Sequence, residues 1–278
     1  MTDAPPALAE IAPSEARGEI HDIYEAIAGA LGVRLVNLVY RHLATVPGAL
    51  GWAWGIVGPP FAAGAFAREA ATLVEIVRTA APDMRSVSLA ACGIGEADAG
   101  SALATLDAYN RANPMNAISL EVISLALAES RAADPLGAAS PDNRHLPALL
   151  PLRGLDGLPA STTALLGRLA VQATGRDTEI VPSLFRHYLA WPGFLEALSD
   201  WLEPLAADDT VGRMSNRIHA AAREAAQRIF EDLPPPGRHA ELPDAATRAA
   251  LGKTVRIFPP AICRMIVIGA LLRAALRP

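Results

Sequence analysis

The chain has 278 residues, of which 51% are hydrophobic and 19% charged, and its formal net charge is −5. This composition is typical of globular proteins with a large apolar core. Because the charges form no basic stripe that could neutralise phosphates, the composition argues against a nucleic-acid partner. Cys92 and Cys263 form no CxxC pair and have no metal-ligand spacing, which argues against a disulfide framework, a zinc site and a redox motif.

The N-terminus is polar and acidic (Met1-Thr-Asp-Ala-Pro-Pro) and lacks the pattern of a signal peptide. Two apolar stretches are unsuited to a membrane span. Residues 43–66 contain three prolines and five glycines, and the segment from Ile262 is interrupted by Arg264 and Arg273. We therefore expect a cytoplasmic protein with no membrane partner.

Apolar spacing predicts helices in the first half of the chain. Residues 15–31 carry apolar side chains at i, i+3, i+4 and i+7 from Ile20 onwards, which indicates an amphipathic helix. A second helix is expected over 35–45, because the residue before Pro47 is pushed out of the α region. Pro47 suits the first turn of a third helix, which Pro59-Pro60 should end. With breaks at Pro82, Gly93-Ile-Gly95 and Asn113-Pro114, further helices are predicted over 65–80, 86–93, 96–110 and 114–131.

Residues 132–159 are rich in Pro, Gly, Asp and Asn and show no periodicity, so we expect a linker there. Ser161 is a candidate cap for the helix that follows. Later helices are predicted over 180–191, 192–203, 209–231, 243–251 and 258–276. No strand-like alternation bounded by hairpin turns occurs, and the predicted fold class is all-α.

The second half of the chain resembles the first at an offset of 145 positions. The identical pairs are Val36/Val181, Arg41/Arg186, His42/His187, Pro47/Pro192, Gly48/Gly193, Leu50/Leu195 and Pro59/Pro204. Such self-similarity predicts two tandem helical repeats that form an intramolecular pseudo-dimer. We place the first repeat at 1–131, the linker at 132–159 and the second repeat at 160–278. The site of such a protein is expected between the copies, where they have diverged.

The repeated Arg41-His42 and Arg186-His187 pairs allow a catalytic histidine, but duplication favours a packing or capping role. Other histidines form no ligand pattern, and neither a metal nor a cofactor is indicated.

Asn37, Ser183 and Asn113 are polar groups expected at helix starts, and the first two stand where the copies differ. Helix starts present unpaired amides and partial positive charge, so a pocket lined by these residues would suit a small carboxylate. The alternative is that all three simply cap their helices.

Several segments together resemble the group I 2-haloacid dehalogenases, which act on D- and L-2-halocarboxylic acids. These segments are Gly18-Glu-Ile-His-Asp-Ile-Tyr-Glu-Ala-Ile, Arg41-His-Leu-Ala-Thr-Val-Pro-Gly, Tyr109-Asn-Arg-Ala-Asn-Pro114, Leu150-Pro-Leu and Ser183-Leu-Phe-Arg-His-Tyr-Leu-Ala-Trp-Pro192. The resemblance implies an all-helical chain of two repeats, paired as a homodimer, with the site between the repeats.

The resemblance also implies a chemistry that needs no cofactor. An aspartate in the second repeat deprotonates a water, which displaces halide from the α-carbon with inversion. Asn113 matches an asparagine that helps to position this water, and Ser183 matches the serine before the aspartate. The aspartate's own position is Leu184, which cannot take a proton.

Two aromatic residues of the family's first-repeat helix correspond to Leu35 and Leu38 here, so the apolar pocket differs as well. His187 lies three residues beyond Leu184 and could reach the same cavity as a substitute base. Glu179 and Asp177 are further candidates for this role.

Two functions follow from these observations. The first is a haloacid dehalogenase-like hydrolase that acts on a small 2-substituted carboxylic acid by direct attack of water. The second is a catalytically silent protein that binds a small apolar carboxylate. The two differ in whether any residue replaces the missing aspartate.

Overall fold

The chain folds almost entirely into α-helices. The computed structural model describes residues 8–134, 143, 145–176 and 180–277. In chain order its helices are α1 (Gly18–Leu31), α2 (Leu38–Leu43), α3 (Ala49–Ala62), α4 (Ala65–Ala80), α5 (Glu96–Ala128), α6 (Ala160–Thr174), α7 (Ser183–His187), α8 (Pro192–Ala207), α9 (Thr210–Glu231) and α10 (Ala245–Ala275). The predicted all-α class is confirmed.

Helix α1 shows how the apolar pattern produces the fold. Its face at Ile23, Ile27 and Leu31 is buried, as the spacing predicted. The helix ends at Gly32, whose φ of 67° lies in the left-handed region that glycine adopts without steric cost. Burial of such a face, more than helix propensity, stabilises a helix of this length.

The long helices α5, α9 and α10 form the centre of the molecule, and α10 packs against both of the others. Helix α4 packs on α5 and α9, while α6 packs on α8 and α1 on α3. The buried apolar side chains form one continuous cluster that contains residues from both halves of the sequence. The cavity described below lies where this core meets the short helices α2 and α7.

Proline positions mislead the sequence-based prediction twice, at Asn113-Pro114 and at Pro59-Pro60. Asn113-Pro114 was expected to break a helix, yet α5 continues through it from Glu96 to Ala128. The helices predicted over 243–251 and 258–276 are also one continuous helix, α10, which contains Pro259 and Pro260. Proline in a helix interior costs about 3 kcal/mol. Both helices are buried over much of their length, and that packing offsets the cost.

The second proline correction concerns α3, which continues through Pro59-Pro60 to Ala62 and does not end at these prolines. The cap predicted at Ser161 is also wrong. Helix α6 begins at Ala160 after Pro159, and no side chain caps it. Proline fixes φ near the helical value, so Pro159 sets the entry into the helix without a hydroxyl cap.

The helix predicted over 86–93 is replaced by other structure. Val87–Ser88 forms strand β1, which pairs in parallel with β2 at Leu276–Arg277, and Ala90–Cys92 forms a single 3₁₀ turn. Two-residue strands are too short to show the alternation by which strands are recognised in a sequence.

Part of the predicted linker, residues 135–142 and 144, lies outside the described residues. Its described parts contain no helix. Ala133 forms an antiparallel bridge with Glu241 and so ties the start of the linker to the approach to α10.

Among the described residues, α10 is the one helix that is long and apolar enough to cross a membrane by length and composition. However, 67% of its most apolar window is buried inside the protein. A core helix passes the same test of composition, and the contacts with α5 and α9 show that α10 is such a helix.

Candidate functional site

A small cavity of about 50 Å³ lies beside the starts of α2 and α7, against α5 and α10. It exceeds the roughly 10–15 Å³ that one water needs, so it suits a ligand of only a few heavy atoms. Its walls are mostly apolar with a few amide and hydroxyl groups. The lining residues are Asn37, Leu38, Val39, Tyr109, Asn113, Ile180, Pro182, Ser183, Leu184, Phe258, Ala261, Ile262 and Met265.

The cavity brings together most of the site residues predicted from the sequence, namely Asn37, Leu38, Asn113, Ser183 and Leu184. Two predicted residues do not line it. Leu35 is buried nearby in the core. His187 lies one layer behind the wall. The other two proposed bases, Asp177 and Glu179, lie outside the described residues.

The polar side chains of the cavity are not helix caps. Asn37 precedes α2 but makes no capping hydrogen bond, and α7 has no side-chain cap. Asn113 lies inside α5 and not at a helix start, which corrects the sequence-based placement. Instead, Nδ2 of Asn37 donates to Oδ1 of Asn113 over 2.9 Å. The Oδ1 atom of Asn37 is buried without a partner.

Behind Ser183 lies a buried charge cluster. Arg41 donates from Nη2 to the Ser183 Oγ over 2.8 Å, and from Nε to Glu10 over 2.7 Å. Arg186 donates to the other oxygen of the same carboxylate over 2.6 Å. Arg41 is only 1% exposed and Arg186 only 7%. Among the residues that the structure describes, two buried guanidinium groups therefore share one carboxylate, which gives this cluster one net positive charge.

This arrangement affects the acidity of Glu10. Burial alone would raise the pKa of its carboxyl group, but the Arg41 charge and the hydrogen bonds from both arginines outweigh burial and lower the pKa. Glu10 therefore stays ionised at neutral pH. The excess positive charge beside Ser183 makes this wall of the cavity favourable for an anion.

His187 does not line the cavity, but its side chain contacts the lining residue Tyr109. Its Nδ1 lies 2.6 Å from the backbone carbonyl of Leu150, and its Nε2 lies 3.1 Å from the Tyr109 hydroxyl. Burial is the largest cause that lowers the pKa of His187, and together with the Arg41 and Arg186 charges it outweighs the Leu150 hydrogen bond and brings the pKa to about 4. His187 is therefore neutral at pH 7.

No carboxylate, imidazole, thiol or cationic group is present among the lining residues that the structure describes. Leu184 is 1% exposed and lines the cavity at the position that the resemblance gives to the aspartate. Tyr109 is the one ionisable lining group within the described chain. Burial raises its pKa to about 12, so it holds its proton at neutral pH.

Three residues in or behind the cavity wall were not singled out as site residues from the sequence. Arg41 belongs to the repeated pair that was assigned to packing, and Glu10 lies in an irregular N-terminal segment. Tyr109 has a usable signal, because it precedes Asn113 by four residues and therefore shares its helix face. No sequence pattern indicates that Glu10 meets Arg186, which is 176 residues away.

No protein-family model matches the chain, and no curated protein sequence matches it. Three solved structures are similar to it over nearly their whole length. One is a D-2-haloacid dehalogenase mutant in complex with D-2-CPA, with 17% sequence identity, a TM-score of 0.70, and coverage of 98% of this chain and 97% of that chain. Another is a D-2-haloacid dehalogenase mutant with 16% identity, a TM-score of 0.74 and 98% coverage of both chains.

The third is a complex of D-2-haloacid dehalogenase with L-LA, with 17% identity, a TM-score of 0.70 and 98% coverage of both chains. These similarities establish a haloacid dehalogenase-like fold.

Proposed function

We propose that this protein is a haloacid dehalogenase-like hydrolase that binds a small 2-substituted carboxylic acid in the cavity beside Ser183 and replaces the 2-substituent with the hydroxyl of water. The observation that carries the proposal is the net positive charge of the Arg41–Glu10–Arg186 cluster, counted over the described residues, directly behind a polar wall of an otherwise apolar cavity. The fold supports the same class of reaction, and its solved relatives include a complex with D-2-CPA.

The two sides of the cavity suit the two ends of such a molecule. The carboxylate would lie at Ser183, where the excess charge of the arginines favours an anion and where a buried hydroxyl is already oriented. The 2-substituent and its alkyl neighbour would contact the apolar wall formed by Leu184, Phe258 and Met265. The small volume of the cavity favours acids of three or four carbons over longer ones.

In the proposed reaction the water oxygen attacks the α-carbon, the carbon–halogen bond breaks, and the halide leaves with the electron pair. The water must lose a proton as this happens, and a positioned base contributes roughly 10²–10⁴ to the rate of such a step. Leu184 cannot supply it. The natural protein should therefore release halide slowly, and its rate should depend on another group.

The test is halide release from D- and L-2-chloropropionate by the natural protein and by Leu184→Asp. We expect slow release by the natural protein and roughly 10²-fold or faster release by the variant, because the new carboxylate would meet a water held at Asn113. Leu184→Asn is the matched control, since it adds a polar group of the same shape that cannot take a proton. Equal gains in halide-release rate for Leu184→Asp and Leu184→Asn would contradict the role of the new carboxylate as a base.

A second candidate function is a catalytically silent binding protein for a small apolar carboxylate. It is favoured by the lack of a carboxylate or imidazole among the described lining residues. Isobutyrate, which has a methyl group in place of a leaving group, should then raise the thermal midpoint. Stabilisation by isobutyrate with no halide release from either chloropropionate would select this function over hydrolysis.

A further inference from the structure

We propose that Tyr109 and His187 act together as the proton acceptor for the attacking water, in place of a carboxylate at position 184. The proposal rests on the hydrolase function proposed above, and it assigns the chemistry to groups that the structure brings together. Tyr109 would touch the water, and His187 would act through Tyr109.

Tyr109 is well placed to contact a water in the cavity. It lines the cavity, and it lies one helical turn before Asn113 on the same face of α5. Its hydroxyl oxygen lies 3.1 Å from Nε2 of His187, and the two rings meet edge to face with centroids 5.6 Å apart. The pair therefore connects the cavity to a group that can carry a proton.

The hydrogen bonds of His187 determine which way the protons point. The Leu150 carbonyl can only accept, so the Nδ1 atom at 2.6 Å must carry the hydrogen. In the neutral ring Nε2 is then an acceptor, and the Tyr109 hydroxyl donates to it.

The Ser183 hydroxyl accepts from Arg41, so its own hydrogen is available to the carboxylate of the ligand. The Tyr109 hydroxyl donates its hydrogen to Nε2 of His187, so its oxygen keeps its lone pairs for a water in the cavity.

His187 has a basicity suited to the task. With its pKa lowered to about 4 by burial, it stays unprotonated at neutral pH. That value is close to the ordinary aspartate value of about 3.9, so His187 is about as basic as the carboxylate that it would replace. The charged groups around it are Arg41 and Arg186, with Glu10 between them. A carboxylate ligand would offset their excess charge and favour protonation of His187 during the reaction.

The proposed step balances in atoms and charge. The water oxygen forms a bond to the α-carbon, and the halide leaves with the electrons of the broken bond. The water proton moves to the Tyr109 oxygen as the Tyr109 proton moves to Nε2 of His187, and the histidinium then returns the proton to solvent. The second hydrogen of the water stays on its oxygen and becomes the hydroxyl hydrogen of the product.

The first test compares Tyr109→Phe and His187→Gln with the natural protein. We expect each variant to lose roughly 10² or more of the halide-release rate and to keep the stabilisation by isobutyrate. The natural rate should fall as the pH is lowered through the pKa of His187, and His187→Gln should lack this dependence. Tyr188→Phe is the matched control, because it deletes another buried hydroxyl, one that donates to the Ala102 carbonyl and does not belong to the cavity lining.

The second test repeats Tyr109→Phe in the Leu184→Asp background. A carboxylate at 184 would take the proton directly, so the rate penalty for losing the Tyr109 hydroxyl should shrink at least tenfold. An equal penalty in both backgrounds would mean that Tyr109 only positions the substrate, and it would overturn the relay.

The remaining outcomes separate the two proposals. If the natural protein releases halide and Tyr109→Phe does so equally fast, the relay is overturned while the hydrolase function stands. If the natural protein binds isobutyrate and releases no halide, both the relay and the hydrolase function fail, and the binding function is selected.

Discussion

Two buried arginines that share one carboxylate are the most consequential residues around the cavity. Arg41 and Arg186 are charged at any physiological pH, and removing them from water is costly unless hydrogen bonds and an opposite charge compensate. Glu10 provides that compensation for one of them. A carboxylate ligand at Ser183 would provide it for the other, which links ligand binding directly to the stability of this cluster.

We expect Glu10→Gln to lower the free energy of unfolding by about 3–5 kcal/mol, because it leaves two buried guanidinium groups with no carboxylate. Urea denaturation measures this difference. Glu15→Gln is the control. Glu15 lies in the same segment with an exposed side chain, and its hydrogen bond to the Ala12 amide is one that glutamine can keep. An unfolding free energy of Glu10→Gln equal to that of the natural protein would contradict the role of the cluster.

The acid limb of the stability curve tests the same residue. The folded-state pKa of Glu10 is lowered, so its contribution is present above the unfolded value of 4.5 and is lost as the pH falls towards the lower folded-state pKa. The natural protein should therefore lose stability below about pH 5 more steeply than Glu10→Gln does.

At the residue scale, the sequence predicted the polar wall of the cavity better than what lies behind it. Asn37 and Ser183 were selected because they stand where the two halves of the sequence differ, and Leu184 was selected because the resemblance places the aspartate there. The contact between Tyr109 and His187 joins residues 78 positions apart, and the one between Glu10 and Arg186 joins residues 176 apart. Neither contact leaves a local pattern, so both had to come from the structure.

At the scale of elements, burial decides where the helices end. Apolar spacing predicted α4 over its full length and α9 nearly so. It failed at Pro114, where the local penalty of proline was given more weight than the packing of a long helix, and between 251 and 258, where α10 is continuous. That packing depends on the tertiary structure and is not visible in a window of sequence. The continuity of α5 matters for the site, because it places Tyr109 and Asn113 on one rigid face.

The start of α10 offers a test of a local signal. Asp244 accepts a hydrogen bond from the Thr247 amide over 2.7 Å and so caps the helix. We expect Asp244→Ala to lower the free energy of unfolding by roughly 0.5–2 kcal/mol. Asp244→Asn should keep most of the stability, because asparagine caps as well as aspartate does. Equal losses of unfolding free energy in both variants would show that the negative charge of Asp244 stabilises the helix, and that its hydrogen bond to the Thr247 amide does not.

At the scale of the whole molecule, the two halves of the sequence share one core. Helix α10 from the second half packs on α5 from the first, and the buried cluster is continuous across both. The cavity follows from this arrangement, since its walls come from α2, α5, α7 and α10. The internal resemblance predicts two repeats, with their boundary in 132–159. The all-α class and the dehalogenase-like fold were accessible from the sequence, whereas the course of the core helices was not.

The measurement that tests the account most directly is calorimetric titration of the natural protein with isobutyrate and with isobutyramide. The two molecules have nearly the same shape, but only the acid is charged at pH 7, and neither has a leaving group. If the net positive charge of the Arg41–Glu10–Arg186 cluster behind Ser183 governs the cavity, the acid should bind at least tenfold more tightly than the amide. Equal affinities, or no binding of the acid, would contradict the account of an anion site between Arg41 and the apolar wall.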